Sequence, residues 1–175
     1  MANPLQSALI AFGGNLGDPI ATLRRALTMI EEVVGPINKL SSLYETKALT
    51  LHGEEHPNYV NAVLEVSTVL EPEAMLKELL RIEHELGRDR SPDKRWEPRT
   101  IDLDLLFVGP IVVNTPNLKL PHPEIGKRDF VIEPLAEIAG EFIHPVIGES
   151  MDELKAALAT RGDERFVIRT FPFER

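Results

Sequence analysis

The sequence predicts an α+β domain built on an antiparallel β-sheet with helices packed on it, and three observations lead there. Short segments whose apolar residues alternate or run together are interspersed with two longer segments in which apolar residues recur every three or four positions. Glycine or proline stands at each change of period. The periods occur in the order strand, helix, strand, strand, helix, strand, the ferredoxin-like βαββαβ arrangement, with helices on one face and an open ligand platform on the other. A chain of 175 residues that is 43% hydrophobic fits a single domain over residues 1–175 with a proper core.

The first strand is Ser7 to Phe12, and it runs into Gly13, Gly14, Asn15, Leu16 and Gly17. This turn lacks the GxGxxG spacing of dinucleotide binders, so it is either a tight corner or a place where a ligand approaches the backbone. Asp18 is a good N-cap and Pro19 a good first helical residue. The stripe Ile20, Leu23, Ala26, Leu27, Ile30 and Val34 continues until Gly35 and Pro36 end the helix. Leu40 to Leu49 reads as a second strand, a polar linker follows, and Tyr59 to Thr68 reads as a third. In it Val60, Ala62, Leu64 and Val66 share one face while Tyr59 and Asn61 share the other. His52 and His56 sit in the linker with Gly53 and Pro57, which makes a helical metal-binding pair a poor reading.

Pro72 opens a second helix with the stripe Met75, Leu76, Leu79, Ile82 and Leu86, closed by Gly87. Ile101 to Val108 is the next strand. Ile111 to Leu120 suggests a short hairpin, Pro121 and Pro123 a fixed loop, and Phe130 to Ala139 a short helix with Pro134 inside it. Ser150 and Glu153 form a capping box for a last helix ending near Gly162, and Phe166 to Phe171 suggests a closing strand.

The most informative stretch joins a basic loop to two carboxylates. From Arg88 to Arg99 the chain carries five basic and three acidic residues, although its net charge is −9. Asp102 and Asp104 follow, two apart on a strand, so both point to one face roughly 6.7 Å apart along it. Like charges at that spacing repel by roughly 2.5 kcal/mol at an effective dielectric near 20. They need a cation between them, either the nearby arginines or a divalent ion such as Mg²⁺, which takes one or two carboxylates and completes its shell with water and phosphate oxygens. Guanidinium groups beside such a pair suit a metal-bound polyphosphate, though a solvated loop with structural Arg–Asp pairs has the same composition.

The runs FGGNLGD at Phe12, RWEPRTIDLDLL at Arg95 and LPHPEIGKRDF at Leu120 together resemble the 6-hydroxymethyl-7,8-dihydropterin pyrophosphokinases, enzymes of folate biosynthesis, and the resemblance covers nearly the whole chain. It implies transfer of pyrophosphate from the co-substrate ATP to a pterin alcohol, with attack on the β-phosphorus and release of AMP. It implies that Asp102 and Asp104 hold two Mg²⁺ ions, and that Arg88 and Arg99 contact phosphates and share in catalysis. Glu83, Arg90, Arg95, Trp96, Arg99, Leu105, His122 and Arg128 match its nucleotide contacts, the loop around Arg90, Arg95 and Trp96 closing over ATP. Gly13, Asn15, Thr46, Leu49, Tyr59, Asn61, Trp96 and Phe130 match its pterin site, with Tyr59 and Phe130 as the stacking pair. Glu97 stands where the family usually has glycine, Lys47 and Thr50 where proline and glycine are common, and Lys119 at a position near the nucleotide. The sequence offers no obvious general base.

Two other readings share parts of this pattern. An RNA-recognition module has the same element order, but the chain is acidic and lacks paired aromatics on its third strand. A two-metal nucleotidyltransferase would release pyrophosphate where the first reading releases AMP. With a pI near 5.1, no cysteine and no apolar run approaching ~18 residues, the expected protein is a cytoplasmic monomer that binds small molecules, not nucleic acid or membrane.

Overall fold

The computed structural model describes residues 3–50, 52–92 and 97–175. Among these, strands β1 (Gln6–Gly14), β2 (Ile37–Leu40), β3 (Leu43–Thr46), β4 (Tyr59–Thr68) and β5 (Asp102–Val108) form one antiparallel sheet with the closing strand β8 (Val167–Phe171). Its order is β5-β1-β4-β3-β8, with β2 also paired to β4. Helices α1 (Pro19–Val33) and α2 (Pro72–Glu85) link β1 to β2 and β4 to β5. This is the βαββαβ arrangement read from the sequence. A small hairpin, β6 (Val113–Asn114) and β7 (Lys119–Leu120), precedes α3 (Asp129–Ala139) and α4 (Met151–Thr160).

Local chemistry explains the boundaries. The Asp18 carboxylate accepts the N–H groups of Ile20 and Ala21 at 3.1 and 3.0 Å, and Pro19 supplies the first helical φ. Gly35 ends α1 at φ +146°, where a β-carbon would lie 2.0 Å from the Ser67 carbonyl oxygen, so only glycine fits. Ser150 and Glu153 cap α4 reciprocally. The expected single strand from Leu40 to Leu49 is instead two. At Ser41 the hydroxyl accepts the Val63 N–H at 2.9 Å while the Ser41 N–H reaches the Val63 carbonyl, so a side chain replaces a ladder bond and the strand breaks.

Strand alternation divides the interior in two. Ala8, Ile10 and Phe12 of β1, with Ala62, Leu64, Leu103 and Leu105, pack against Leu23, Leu27 and Ile30 of α1 and Met75, Leu79 and Ile82 of α2. Leu9, Val63, Leu106 and Phe107 face the other way onto Ile132 and Leu135 of α3 and Met151, Leu154 and Leu158 of α4. The platform face is therefore not fully open, as the sequence suggested, because α3 and α4 cover one end of it. A bulge makes this work. Between Leu9 and Ile10 the β1–β5 register shifts by one, so Leu106 and Phe107 both turn to the second core while Asp102 and Asp104 keep their parity.

Helix α3 is tied to the sheet by Glu137. Its carboxylate accepts the Tyr44 hydroxyl at 2.5 Å and the Ser42 N–H and hydroxyl at 2.9 and 2.8 Å. Partial burial acts to raise this carboxyl, but the three donors outweigh it and hold it below the ordinary glutamate range. Because the folded state favours the ionised form, its contribution is present above the unfolded pKa and is lost as pH falls below it. Glu137→Gln is expected to cost about 1–2 kcal/mol at pH 7 after allowance for solvent screening, with the difference shrinking below about pH 4. Urea unfolding at both pH values checks this; an equal difference at each counts against it.

Candidate active site

The second face of the sheet, where α3 and α4 leave it uncovered, opens into a cavity of about 380 Å³. Register builds its floor. Asn61 on β4, Gly13 on β1 and Asp102 on β5 are direct cross-strand partners, and Val63, Ala11 and Asp104 form the next row. With strands about 4.8 Å apart, Asn61 and Asp102 stand about 10 Å apart across the bare glycine between them. A β-carbon on Gly13 would come within 2.9 Å of Asn61 Oδ1. Thr46 and Tyr59 are paired one step further along, and Asn61 donates its amide to the Thr46 hydroxyl at 2.7 Å. Lys47, Leu49, Phe130, Val131, Arg128, Arg99, His122 and Glu124 complete its lining, with Arg128 Nε 3.9 Å from Glu124 Oε2.

The charges are unevenly matched. Asp102 receives Arg99 Nη1 at 3.0 Å and lies 3.5 Å from Arg90 Nη2. Arg90 also pairs with Glu83 at 2.5 Å, and Glu83, 1% exposed, spends its other oxygen on the Leu103 N–H at 2.7 Å. Asp104 has no such ion pair among the described residues. Burial, with Asp102 and Glu83 adding like charge, pushes its carboxyl up to about 7. Burial also lowers Arg88, with Arg99 repelling it, and leaves its Nε without a partner among the described residues. His122 is pushed down by burial, so its imidazole favours the neutral form; its Nδ1 accepts the Glu124 N–H at 3.2 Å. An anion carrying a cation would relieve both halves of this imbalance.

The donor set suits a hard divalent ion only in part. Asp102 and Asp104 face the cavity from one strand, and no group of three or more His, Cys, Asp or Glu side chains capable of holding a metal exists among the described residues. That fits Mg²⁺, which can take one or two carboxylates and fill its remaining positions with water and phosphate.

Most of the residues picked out from the sequence meet here: Gly13, Thr46, Leu49, Tyr59, Asn61, Phe130, Arg99, Asp102, Asp104, His122 and Arg128 all line the cavity. Others serve it from behind. Asn15 is not in the wall, because its side chain is spent on the Arg99 N–H at 2.8 Å and the Pro57 carbonyl at 2.9 Å, clamping the glycine turn between the basic loop and the start of β4. Glu83 and Arg90 brace Asp102 and do not line the cavity. The side chain of Leu105 points into the opposite core, 3% exposed. Only its backbone, on the edge strand of the sheet, can serve a ligand. Arg95 and Trp96 lie outside the described residues. Sequence reading passed over Ala11, Val131 and Glu124 as wall residues. The parity of Ala11 with Gly13 could have shown the first; the other two depend on how α3 docks.

The family model for 7,8-dihydro-6-hydroxymethylpterin-pyrophosphokinase (HPPK) matches residues 9–140. A 2-amino-4-hydroxy-6-hydroxymethyldihydropteridine pyrophosphokinase of Aquifex aeolicus is 36% identical over 86% of this chain and 91% of its own length. The protein of the same name from Haemophilus influenzae is 41% identical over 79% of this chain and 85% of its own. The folic acid synthesis protein fol1 of Pneumocystis carinii is 40% identical over 83% of this chain, which spans only 19% of that protein. A Plasmodium falciparum HPPK-DHPS structure with pteroate superposes with a TM-score of 0.74 at 16% identity over 92% of this chain and 46% of that one, a likeness of fold. With relatives matched over most of both chains and a family match that takes in every described wall of the cavity, the chain belongs to the 7,8-dihydro-6-hydroxymethylpterin-pyrophosphokinase family.

Proposed function

We propose that this chain transfers the pyrophosphoryl group of ATP to the hydroxymethyl oxygen of 6-hydroxymethyl-7,8-dihydropterin, giving AMP and the pterin diphosphate, a step of folate biosynthesis. The observation that carries the reading is the row Asn61–Gly13–Asp102, which sets a slot for a flat heterocycle and a carboxylate pair on one floor about 10 Å apart, in a chain of this family. Tyr59 and Phe130 supply the faces for a bicyclic ring, and Asn61 and Thr46 the polar edge that reads its amide-like donors and acceptors. The bare Gly13 lets the ring's hydroxymethyl arm lie against β1 on its way to Asp102.

On the other side Arg99, Arg88, Arg90 and Arg128 meet the phosphates, with His122 neutral and able to donate one hydrogen bond. The backbone of Leu105 offers an edge to the adenine. Asp102 and Asp104 are the residues that would hold Mg²⁺, which when bound neutralises phosphate charge and polarises the reacting oxygens. Arg99 and Arg90, which partner Asp102 in the free protein, would be able to turn to phosphate once the two carboxylates held a cation. Asp104, whose carboxyl burial pushes up to about 7 in the free protein, would serve as a ligand in its ionised form. The residues therefore act by holding two substrates in line and balancing charge, with most of the rate coming from position.

Incubation with ATP, Mg²⁺ and the hydroxymethyl-dihydropterin should give AMP and pterin diphosphate in equal amounts; release of pyrophosphate would point to nucleotidyl transfer instead. Asp102→Ala and Asp104→Ala should each lower kcat/KM by at least about a hundredfold while leaving the circular dichroism spectrum unchanged, and near-normal turnover in either removes the carboxylate pair from the mechanism. Gly13→Ala should raise the KM for the pterin by about tenfold, with the KM for ATP within twofold, since the added methyl group displaces Asn61 and not the phosphate ligands. Steady-state kinetics with each substrate varied in turn checks this.

A further inference from the structure

The wall carrying Phe130 is held in place from outside the stretch that matches the family. That match ends at residue 140, yet the brace comes from residues 165–167. Asp129, 3% exposed, opens α3 directly beside Phe130, and its Oδ2 accepts the backbone N–H groups of Phe166 and Val167 at 2.8 and 3.0 Å. Arg165 Nε lies 3.5 Å from the same oxygen. The Phe166 ring, itself buried, meets the Phe130 ring edge-on, with centroids 5.7 Å apart and planes at 85°. The Phe166 carbonyl in turn accepts the Lys47 N–H at 2.9 Å, and Val167 pairs with Thr46. One buried carboxylate thus fixes both the helix start that bears Phe130 and the strand end that bears Thr46 and Lys47.

An aspartate in the first turn of a helix is ordinarily explained by the helix dipole. That explanation does not cover this one. Its two donors come from 37 and 38 residues away, and its other oxygen, Oδ1, has no hydrogen-bond partner among the described residues. N–H bonds to a buried carboxylate are charge-assisted, so removing the acceptor strands two buried donors and frees the segment they hold.

We propose that Asp129 is a positioning residue for the heterocycle, acting with Phe166 to set the separation between Phe130 and the Thr46–Leu49 wall and so the affinity for the flat ring. The proposal rests on the pterin reading of the cavity. It distinguishes the ring side from the phosphate side, where Arg90 bridges Glu83 to Asp102 and Asn15 holds the Arg99 N–H, none of these bonds involving Asp129; of the phosphate contacts only Arg128 adjoins it.

The test is calorimetric titration of the whole chain with 6-hydroxymethyl-7,8-dihydropterin in the presence of the α,β-methylene analogue of ATP, and separately with that analogue alone. Asp129→Ala and Phe166→Leu should each weaken pterin binding by about tenfold while the analogue's Kd stays within twofold. Asp129→Asn, which keeps one acceptor oxygen, should lose less than Asp129→Ala. Ser150→Ala, which removes the α4 cap far from the wall, serves as the control for general destabilisation and should leave both Kd values unchanged. If Asp129→Ala does not fold, Phe166→Leu and Asp129→Asn carry the test. Unaltered pterin binding in the folded variants overturns the proposal, as does an equal weakening of both ligands or a comparable pterin loss in Ser150→Ala. If the unmodified chain itself fails to bind the pterin, the reading of the cavity falls first and the brace with it.

Discussion

A residue without a side chain stands at the middle of the floor, and the geometry around it follows. Gly13 lies in register with Asn61 on one flank and Asp102 on the other, so the central strand contributes only backbone where the neighbouring strands contribute chemistry. Any larger residue would press on Asn61. The rest of the frame keeps that register fixed. Apolar residues of alternate parity bind β1 to helices on both sides, and a one-residue slip would turn both aspartates into the α1/α2 core, where two unpaired charges could not be tolerated.

Charge within the cavity is only half settled by the protein itself. Asp102 has guanidinium partners, Asp104 has none among the described residues, and Arg88 has a buried Nε in the same position. A chain of net charge −9 nonetheless sets Arg88, Arg90 and Arg99 beside Asp102, so the imbalance is local and specific. Such an arrangement costs stability in the free protein. A polyanion bound together with a counter-cation would offset that cost, because both unmet charges would be satisfied at once.

The sequence made the frame legible wherever the signal was local. Asp18 and Ser150 as caps, the parity of Asp102 with Asp104 and of Tyr59 with Asn61, and the glycine and proline stops all depend on neighbours a few residues away. What escaped was set by distant parts of the chain. The break at Ser41 needs Val63 opposite it; the turn of Leu106 and Phe107 towards α3 needs a bulge that no residue pattern announces. The clamp role of Asn15 needs Arg99 and Pro57 brought to it. Leu105 is tied to the site by motif alone, and the core placement of its side chain leaves only its backbone for a ligand. Periodicity predicts faces well and says little about which face a later helix will roof.

The cavity lies along the seam between the second face of the sheet and the start of α3. Its floor belongs to strands locked to α1 and α2, and one wall belongs to α3, which is packed with α4 into the smaller apolar cluster. Whatever fills it touches both bodies and acts as mortar between them. Occupancy therefore adds its binding free energy to the cohesion of the seam, and the C-terminal helices, which have the fewer apolar anchors, gain most in resistance to local opening and proteolytic nicking.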